Sequence, residues 1–465
     1  MKKINFILWI KSPIGILLIA GFVLRVIMFF LFQPYNHLNE VLVSDADGYH
    51  RLALELLNKG NFIVPNTTLD AFRTPAYPAF INLIYLVFGV NPPLVLFIQI
   101  FVNLASVYVL YLIGENIFNR KIGFISALLL SLDLDHLYNI YSLLTDTLFV
   151  LFLLLACLYL IYFFNRKKLF YLIMTSSFIG IATLVRPITL FFPLVIIFIV
   201  IIYTFHNKKR NLLKTIMHIS LILIAYGLVI SPWIIRNYSL YGYPKLSSLS
   251  GQLMLNYNVA FTIKRNDNRS IDEICEELNT LVMKKDTPEK LSNPFYKSKV
   301  QSDIAVDFIL KHKVDYLKSN LLGSVNVYTS MGFKPFAYRF FRVSDYTAKD
   351  NIGAFDKFSI NVKRFKTLPY PIIITGSVYA LFFLFYYSAS LWGTFILLSD
   401  KRLKLLLSVF AVISYFTVLV GVVGLARYKM PISPFYILIG AYCISSFIDK
   451  KNTQNSTERS DSLSE

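Results

Sequence analysis

Ten apolar stretches of about 17–25 residues, the length needed to cross a bilayer as a helix, run through this chain. They lie at 14–32, 92–113, 122–138, 147–164, 169–185, 187–205, 213–235, 371–398, 403–424 and 431–448. A soluble fold cannot bury that many. With 56% apolar and only 16% charged residues, against roughly a quarter charged in ordinary globular proteins, disorder is excluded as well. The sequence therefore reads as an all-α polytopic membrane protein with about ten transmembrane helices.

The short loops set an orientation. Lys2, Lys3, Lys11, Arg120, Lys121, Arg166, Lys167, Lys168, Lys208, Lys209, Arg210, Lys214, Lys401, Arg402, Lys404, Lys450 and Lys451 all fall on one side, while the alternate short loops carry few cations. By the positive-inside rule that side is cytoplasmic. This also accounts for a net charge of +19 without nucleic acid. Both termini then face the cytoplasm and the expected location is the plasma (inner) membrane. The first span follows Met-Lys-Lys like a signal peptide, but it is long and lacks a small-x-small cleavage site, so it reads as uncleaved. Three cysteines, Cys157, Cys275 and Cys443, form no metal-ligand spacing.

Four parts follow: an N-terminal membrane module, 1–235, with a first outer loop at 33–91; an extracytoplasmic loop at 236–370; C-terminal spans at 371–449; and a polar tail, 450–465, expected to be disordered. In the second loop, Ile304, Phe308, Val314 and Leu317 keep an approximately helical period. This predicts a small extracytoplasmic helical subdomain with too few apolar residues for an independent core.

The first outer loop is the most informative segment. After Ser44-Asp45-Ala46-Asp47-Gly48, residues Tyr49, Leu52, Ala53, Leu56 and Leu57 share one helical face. Such a short amphipathic helix lies flat at a membrane surface. Arg73-Thr74-Pro75-Ala76-Tyr77-Pro78 then leads into a short apolar run ending at Gly89, an interfacial or re-entrant element. Ser44 and Asp47 also match a capping box, with Asp45 favoured at a helix N-terminus. Capping and chemistry both remain open on spacing alone.

Further charges fall at the same face: Asp146 at the head of span four, Arg186 between spans five and six, Arg236 after span seven, and Arg427-Tyr428-Lys429 between spans nine and ten. Acids beside arginines suit a phosphate held by guanidinium groups next to a hydroxyl activated by a carboxylate. Each arginine alone could equally snorkel to lipid headgroups. Arg25, inside span one, would pair with an acid to stay buried. Asp133 and Asp135 read as a short polar turn, and His136 alone is no metal signature. The Asn-x-Ser/Thr triplets at Asn66, Asn237, Asn268 and Asn455 read as chance.

The ordered patches SDADGYHRLALELLNKGNF, FRTPAYPAFINLIYLVFG, SLLTDTLF, GIATLVRPITLFFPL, SPWIIRNY and LARYKMPISPFYIL resemble bacterial members of the GT-C class of membrane glycosyltransferases. This class includes the protein O-mannosyltransferases and the lipid A aminoarabinose transferase. The resemblance implies transfer of a sugar, usually with inversion, from a polyprenyl-phosphate donor to an extracytoplasmic acceptor: lipid, glycan or protein. It implies catalytic roles for Asp45, four residues before Tyr49 and with Asp47 as rival, and for Asp146. Asp47, Tyr49, Arg73, Tyr77, Arg186, Arg236, Arg427 and Tyr428 are the candidate donor- and substrate-binding residues. No spacing requires a cofactor, although a divalent cation beside Asp45 and Asp47 is compatible. Two other function classes are a lipid-linked glycan polymerase or ligase and a transporter or flippase. The last predicts inverted repeats, and none is visible.

Overall fold

The computed structural model describes residues 10–205, 212–267, 269–330 and 370–462. Lys2, Lys3, Lys208, Lys209, Arg210, Asn268 and the stretch 331–369 lie outside them. Among the described residues all regular structure is helical. The helices are α1 (Pro13–Phe32), α2 (Asp45–Lys59), α3 (Leu69–Phe72), α4 (Ala76–Phe88), α5 (Pro92–Ile117), α6 (Arg120–Ser131) and α7 (Leu134–Asn139). They continue with α8 (Asp146–Arg166), α9 (Leu169–Val185), α10 (Phe192–Phe205) and α11 (Leu212–Tyr241). The outer segment forms α12 (Leu249–Leu253), α13 (Ala260–Asn266), α14 (Ile271–Met283), α15 (Pro294–Lys311) and α16 (Lys313–Thr329). The chain closes with α17 (Tyr370–Ser399), α18 (Leu403–Val420) and α19 (Ser433–Ser462).

Six helices among the described residues are long and apolar enough to cross a membrane: α1, α5, α8, α11, α18 and the part of α17 from Ile373. Shorter apolar helices, α4, α9 and α10, pack among them. Local chemistry sets several starts. Ser12 caps α1 by accepting from the Gly15 amide at 3.2 Å, with Pro13 in the first turn. Asn91 does the same for α5 through the Leu94 amide at 3.1 Å. Between α5 and α6 the backbones nearly touch: a Cβ added to Gly114 would lie 2.7 Å from Gly123 Cα. Small residues of this kind let apolar helices approach closely.

Four expectations are corrected. The stretch 122–138 is not one continuous helix: α6 ends at Ser131, and Asp133 starts α7 by accepting from the His136 amide at 3.0 Å. A carboxylate satisfied by a new helix N-terminus breaks the run, and twelve residues reach only about 18 Å. The seventh span continues past 235 to Tyr241, so Arg236 lies within α11. The tail is helical through Ser462 as the continuation of α19; it contains no Gly or Pro to stop a helix. The outer segment does have a core: Leu255, Val259, Ile274, Leu278, Val282 and Leu291 are buried together in a cluster separate from that of the bundle.

Candidate active site

Asp45 opens α2, and its two carboxylate oxygens meet different arginines. Arg73 Nη2 lies 2.7 Å from Oδ1, and Arg427 Nη2 lies 3.7 Å from Oδ2. Arg73 comes from the turn after α3; Arg427 comes from the 3-10 turn Ala426–Lys429. The loop before α2 is strained, with Ser44 at φ 56° and ψ −121°, a region L-residues rarely occupy. Ser44 makes no capping bond, so the capping-box reading fails: at that backbone geometry its hydroxyl does not reach the first-turn amides. Asp45 is left for the arginines.

Tyr49, one helical turn on, supports the pair from below. Arg73 lies over its ring at 4.7 Å and donates to its hydroxyl at 3.4 Å. Tyr77 packs edge-on to Tyr49 at 5.1 Å and donates to Gln99 Oε1 at 2.8 Å. Gln99 in turn donates to the Ile140 and Ser142 carbonyls at 2.7 and 3.0 Å. Tyr77 is fully buried, so it stands behind the site and presents no surface to a substrate.

Asp146 is the first residue of α8 and is 2% exposed. It forms an ion pair with Arg186, which caps the end of α9. The Arg186 guanidinium also lies 5.6 Å from both the Phe149 and Tyr428 rings. Arg427 lies 5.4 Å from Tyr428, so one aromatic ring joins the two ion-pair groups. Burial alone would raise the Asp45 carboxyl, but Arg73, Arg427 and Arg186 together hold it below its ordinary value. It is therefore ionised at neutral pH. Beside it lies a cavity of about 120 Å³ lined by Val41, Ser44, Asp45, Ser142, Leu144 and Arg427 among others. Three guanidinium groups face two carboxylates here. The Nε atoms of Arg73 and Arg427 are buried without a hydrogen-bond partner. That donor surplus fits an anion.

Two predicted residues stand apart. Asp47 is half exposed, with its nearest cation Arg51 at 4.0 Å on the outer side of α2. Asp45 and Asp47, two positions apart on one helix, therefore meet different arginines. Arg236 is held by Asp70, with Nη2–Oδ2 at 2.8 Å, and lies over Trp233 at 4.6 Å. Tyr241 also donates to Asp70. These contacts make Arg236 a tie between α11 and α3, one turn from Arg73. Sequence reasoning missed Asp70 and Gln99, since an acid in LDAF and an amide in a span carry no motif.

Arg25 is fully buried but has no acid: Nε donates to Asn103 at 2.9 Å, Nη1 to the Gly21 carbonyl at 2.9 Å, and Nη2 to the Ser131 carbonyl at 3.2 Å. The expected ion pair is replaced by neutral acceptors, which satisfy the planar fork equally well in geometry. Asp135 is more than part of a polar turn, because it faces Lys429 at 3.1 Å. Among the described residues no group of three His, Cys, Asp or Glu side chains is arranged to hold a metal ion.

Residues 72–235 match the family described as dolichyl-phosphate-mannose-protein mannosyltransferase. The fold matches the archaeal oligosaccharyltransferase AglB from Archaeoglobus fulgidus, solved with an inhibitory peptide and a dolichol-phosphate. That match has TM-score 0.53 and 13% identity, over 95% of this chain and 52% of that one. The apo form of the Archaeoglobus fulgidus oligosaccharyltransferase gives TM-score 0.54 at 13% identity over the same shares. The chain thus spans about half the length of these structures. ArnT from Cupriavidus metallidurans bound to undecaprenyl phosphate superposes more loosely, with TM-score 0.41 and 11% identity over 92% of this chain and 77% of that one. No curated protein sequence matches the chain.

Proposed function

We infer a GT-C type of activity from the family match over 72–235, the shared fold and the setting of Asp45 among its arginines. We propose that the chain is a membrane glycosyltransferase that moves a sugar from a polyprenyl-phosphate donor to an extracytoplasmic acceptor, with inversion. The observation that carries this reading is the meeting of Asp45 with Arg73 and Arg427 beside a cavity that Asp45 and Arg427 line, with the Nε of each arginine lacking a hydrogen-bond partner. The dolichol-phosphate bound by the archaeal relative is a ligand of the same chemistry.

In this reading the donor phosphate sits against Arg427 and Arg186, its tail between helices. The acceptor oxygen attacks the anomeric carbon, and the bond to phosphate breaks through an oxocarbenium-like state. Phosphate leaves as an anion, so arginine stabilisation replaces a general acid. The acceptor proton passes to Asp45. A carboxylate held below its usual range is a weak base, which suits a hydroxyl that becomes acidic only as its bond to carbon forms. Asp146 acts by fixing Arg186. The topology that goes with this reading has ten membrane passages, α6 with α7 forming one of them. Both termini are cytoplasmic and the site opens to the exterior of the plasma membrane.

A ligase for lipid-linked glycans is the second reading, favoured by the oligosaccharyltransferase fold match. The lipid product separates the two. Purified protein given polyprenyl-phosphate sugar and candidate acceptors should release polyprenyl monophosphate. Turnover only with a lipid diphosphate donor supports the ligase, and movement of lipid without cleavage supports a flippase.

A further inference from the structure

Two residues beyond Arg427, Lys429 is fully buried. Its ammonium lies 3.1 Å from Asp135 on α7, donates to the Ser330 carbonyl at the end of α16 at 2.6 Å, and sits 3.6 Å from the centre of the Phe383 ring on α17. Asp135 is 4% exposed. Next to the pair, His136 Nε2 is 2.8 Å from Ser433 Oγ at the start of α19. None of these groups reaches the cavity beside Asp45.

Stability alone gives little reason to keep such a pair. Removing two charges from water costs about as much as their attraction returns, and apolar residues of equal volume usually serve as well or better. What the pair does uniquely is join two segments that line the site. Asp135 precedes the loop that supplies Ser142, Leu143 and Leu144 to the cavity and then Asp146. Lys429 ends the turn that supplies Arg427 and Tyr428. That turn is a single 3-10 segment of four residues, tied to its flanks by backbone bonds from Tyr428 to Leu425 at 3.1 Å, Met430 to Arg427 at 3.2 Å and Ile432 to Lys429 at 2.8 Å. On its other side, Gly424 at φ +65° lies against α16, where a Cβ would come within 2.9 Å of Asn326. The turn is thus pinned at both ends, by close backbone packing before Arg427 and by the buried ammonium after it.

We propose that the Lys429–Asp135 pair is a positioning device that sets Arg427 at the distance from Asp45 and Arg186 needed to hold the donor phosphate. This rests on the donor reading given above. Lys429 and Asp135 touch no substrate; they act through Arg427.

The test measures binding of undecaprenyl phosphate to detergent-purified full-length protein, together with thermal unfolding. In Lys429→Met/Asp135→Leu the pair is replaced by apolar side chains of similar bulk. The expected result is an unfolding temperature close to wild type and a Kd at least tenfold weaker. In an Arg427→Ala background, the same double change should produce no further weakening, which a merely structural role would not predict. If the apolar pair does not fold, Lys429→Gln/Asp135→Asn keeps the shape with neutral polar groups and carries the same expectation. A double variant that folds and binds like wild type overturns the positioning role while leaving the donor reading intact. Wild-type protein that does not bind undecaprenyl phosphate overturns both.

Discussion

At the end of the bundle that carries Asp45, arginines lie against carboxylates; at the opposite end, Arg166, Lys167, Arg402 and Lys404 lie over aromatic rings. α8 shows both. Its first residue, buried Asp146, pairs with Arg186, while its last, Arg166, lies over Tyr162 and Tyr171 at 4.9 and 5.6 Å and donates to Tyr171 at 2.8 Å. At the same end Arg402 covers Phe118 at 5.1 Å, and Lys121 meets an exposed Asp449 at 2.6 Å. Both ends are charged, but the first holds two buried acids, Asp70 and Asp146, each against an arginine. A cation over a ring needs no partner charge and anchors a helix at an interface. A carboxylate matched by more guanidinium groups than it can neutralise leaves donors over, which the proposed function gives to the donor phosphate.

Five changes test that contrast. Arg186→Leu strands the Asp146 carboxylate in the interior and should cost about 3–5 kcal/mol of stability, read as a large fall in unfolding temperature, with transfer abolished. Asp45→Asn should lower the unfolding temperature far less than Arg186→Leu, because the Asp45 side chain is 37% exposed, yet slow transfer by roughly 10²–10⁴-fold, the usual contribution of a general base. Asp47→Asn should stay within a few-fold of wild type. An equal loss in both variants would erase the distinction between the two aspartates.

Arg73→Gln probes the electrostatics. Asp45 is held below the ordinary aspartate value of about 3.9. Its native contacts therefore add stability above that pH and lose it as pH falls through the lowered value. Removing Arg73 leaves burial less opposed, so the carboxyl titrates higher and the acid limb of the pH–rate profile moves to higher pH. A limb that stays in place would mean Arg73 does not set the Asp45 charge. The smallest effect is expected at the opposite end, where Lys121→Ala breaks a solvent-screened pair. Stability should change by less than about 1 kcal/mol, with transfer unaffected.

The sequence was most legible where one physical rule dominates. Long apolar runs gave the helices, and the amphipathic stretch after Asp45 gave α2, with Tyr49, Leu52 and Ala53 buried as its period required. Asp45, Arg73, Asp146, Arg186 and Arg427 were each identifiable as charges near one face, and the structure brings them together. What could not be read were the partners. Arg236 and Lys429 look alike in sequence, each a cation beside a span, yet one is tied to Asp70 and the other to Asp135. Those pairings join residues 166 and 294 positions apart, a separation at which periodicity carries no information. The break at Asp133 did have a signal, since DLDH puts three ionisable groups in a run that lipid would reject. It was outweighed by the apolar residues on either side.

The most direct test follows release of polyprenyl monophosphate from a polyprenyl-phosphate sugar in membranes carrying wild-type, Asp47→Asn or Asp45→Asn protein at matched levels. Release by the first two, with Asp45→Asn at least a hundredfold slower, is the predicted result. Equal release by Asp45→Asn and wild type would contradict a catalytic carboxylate at this position.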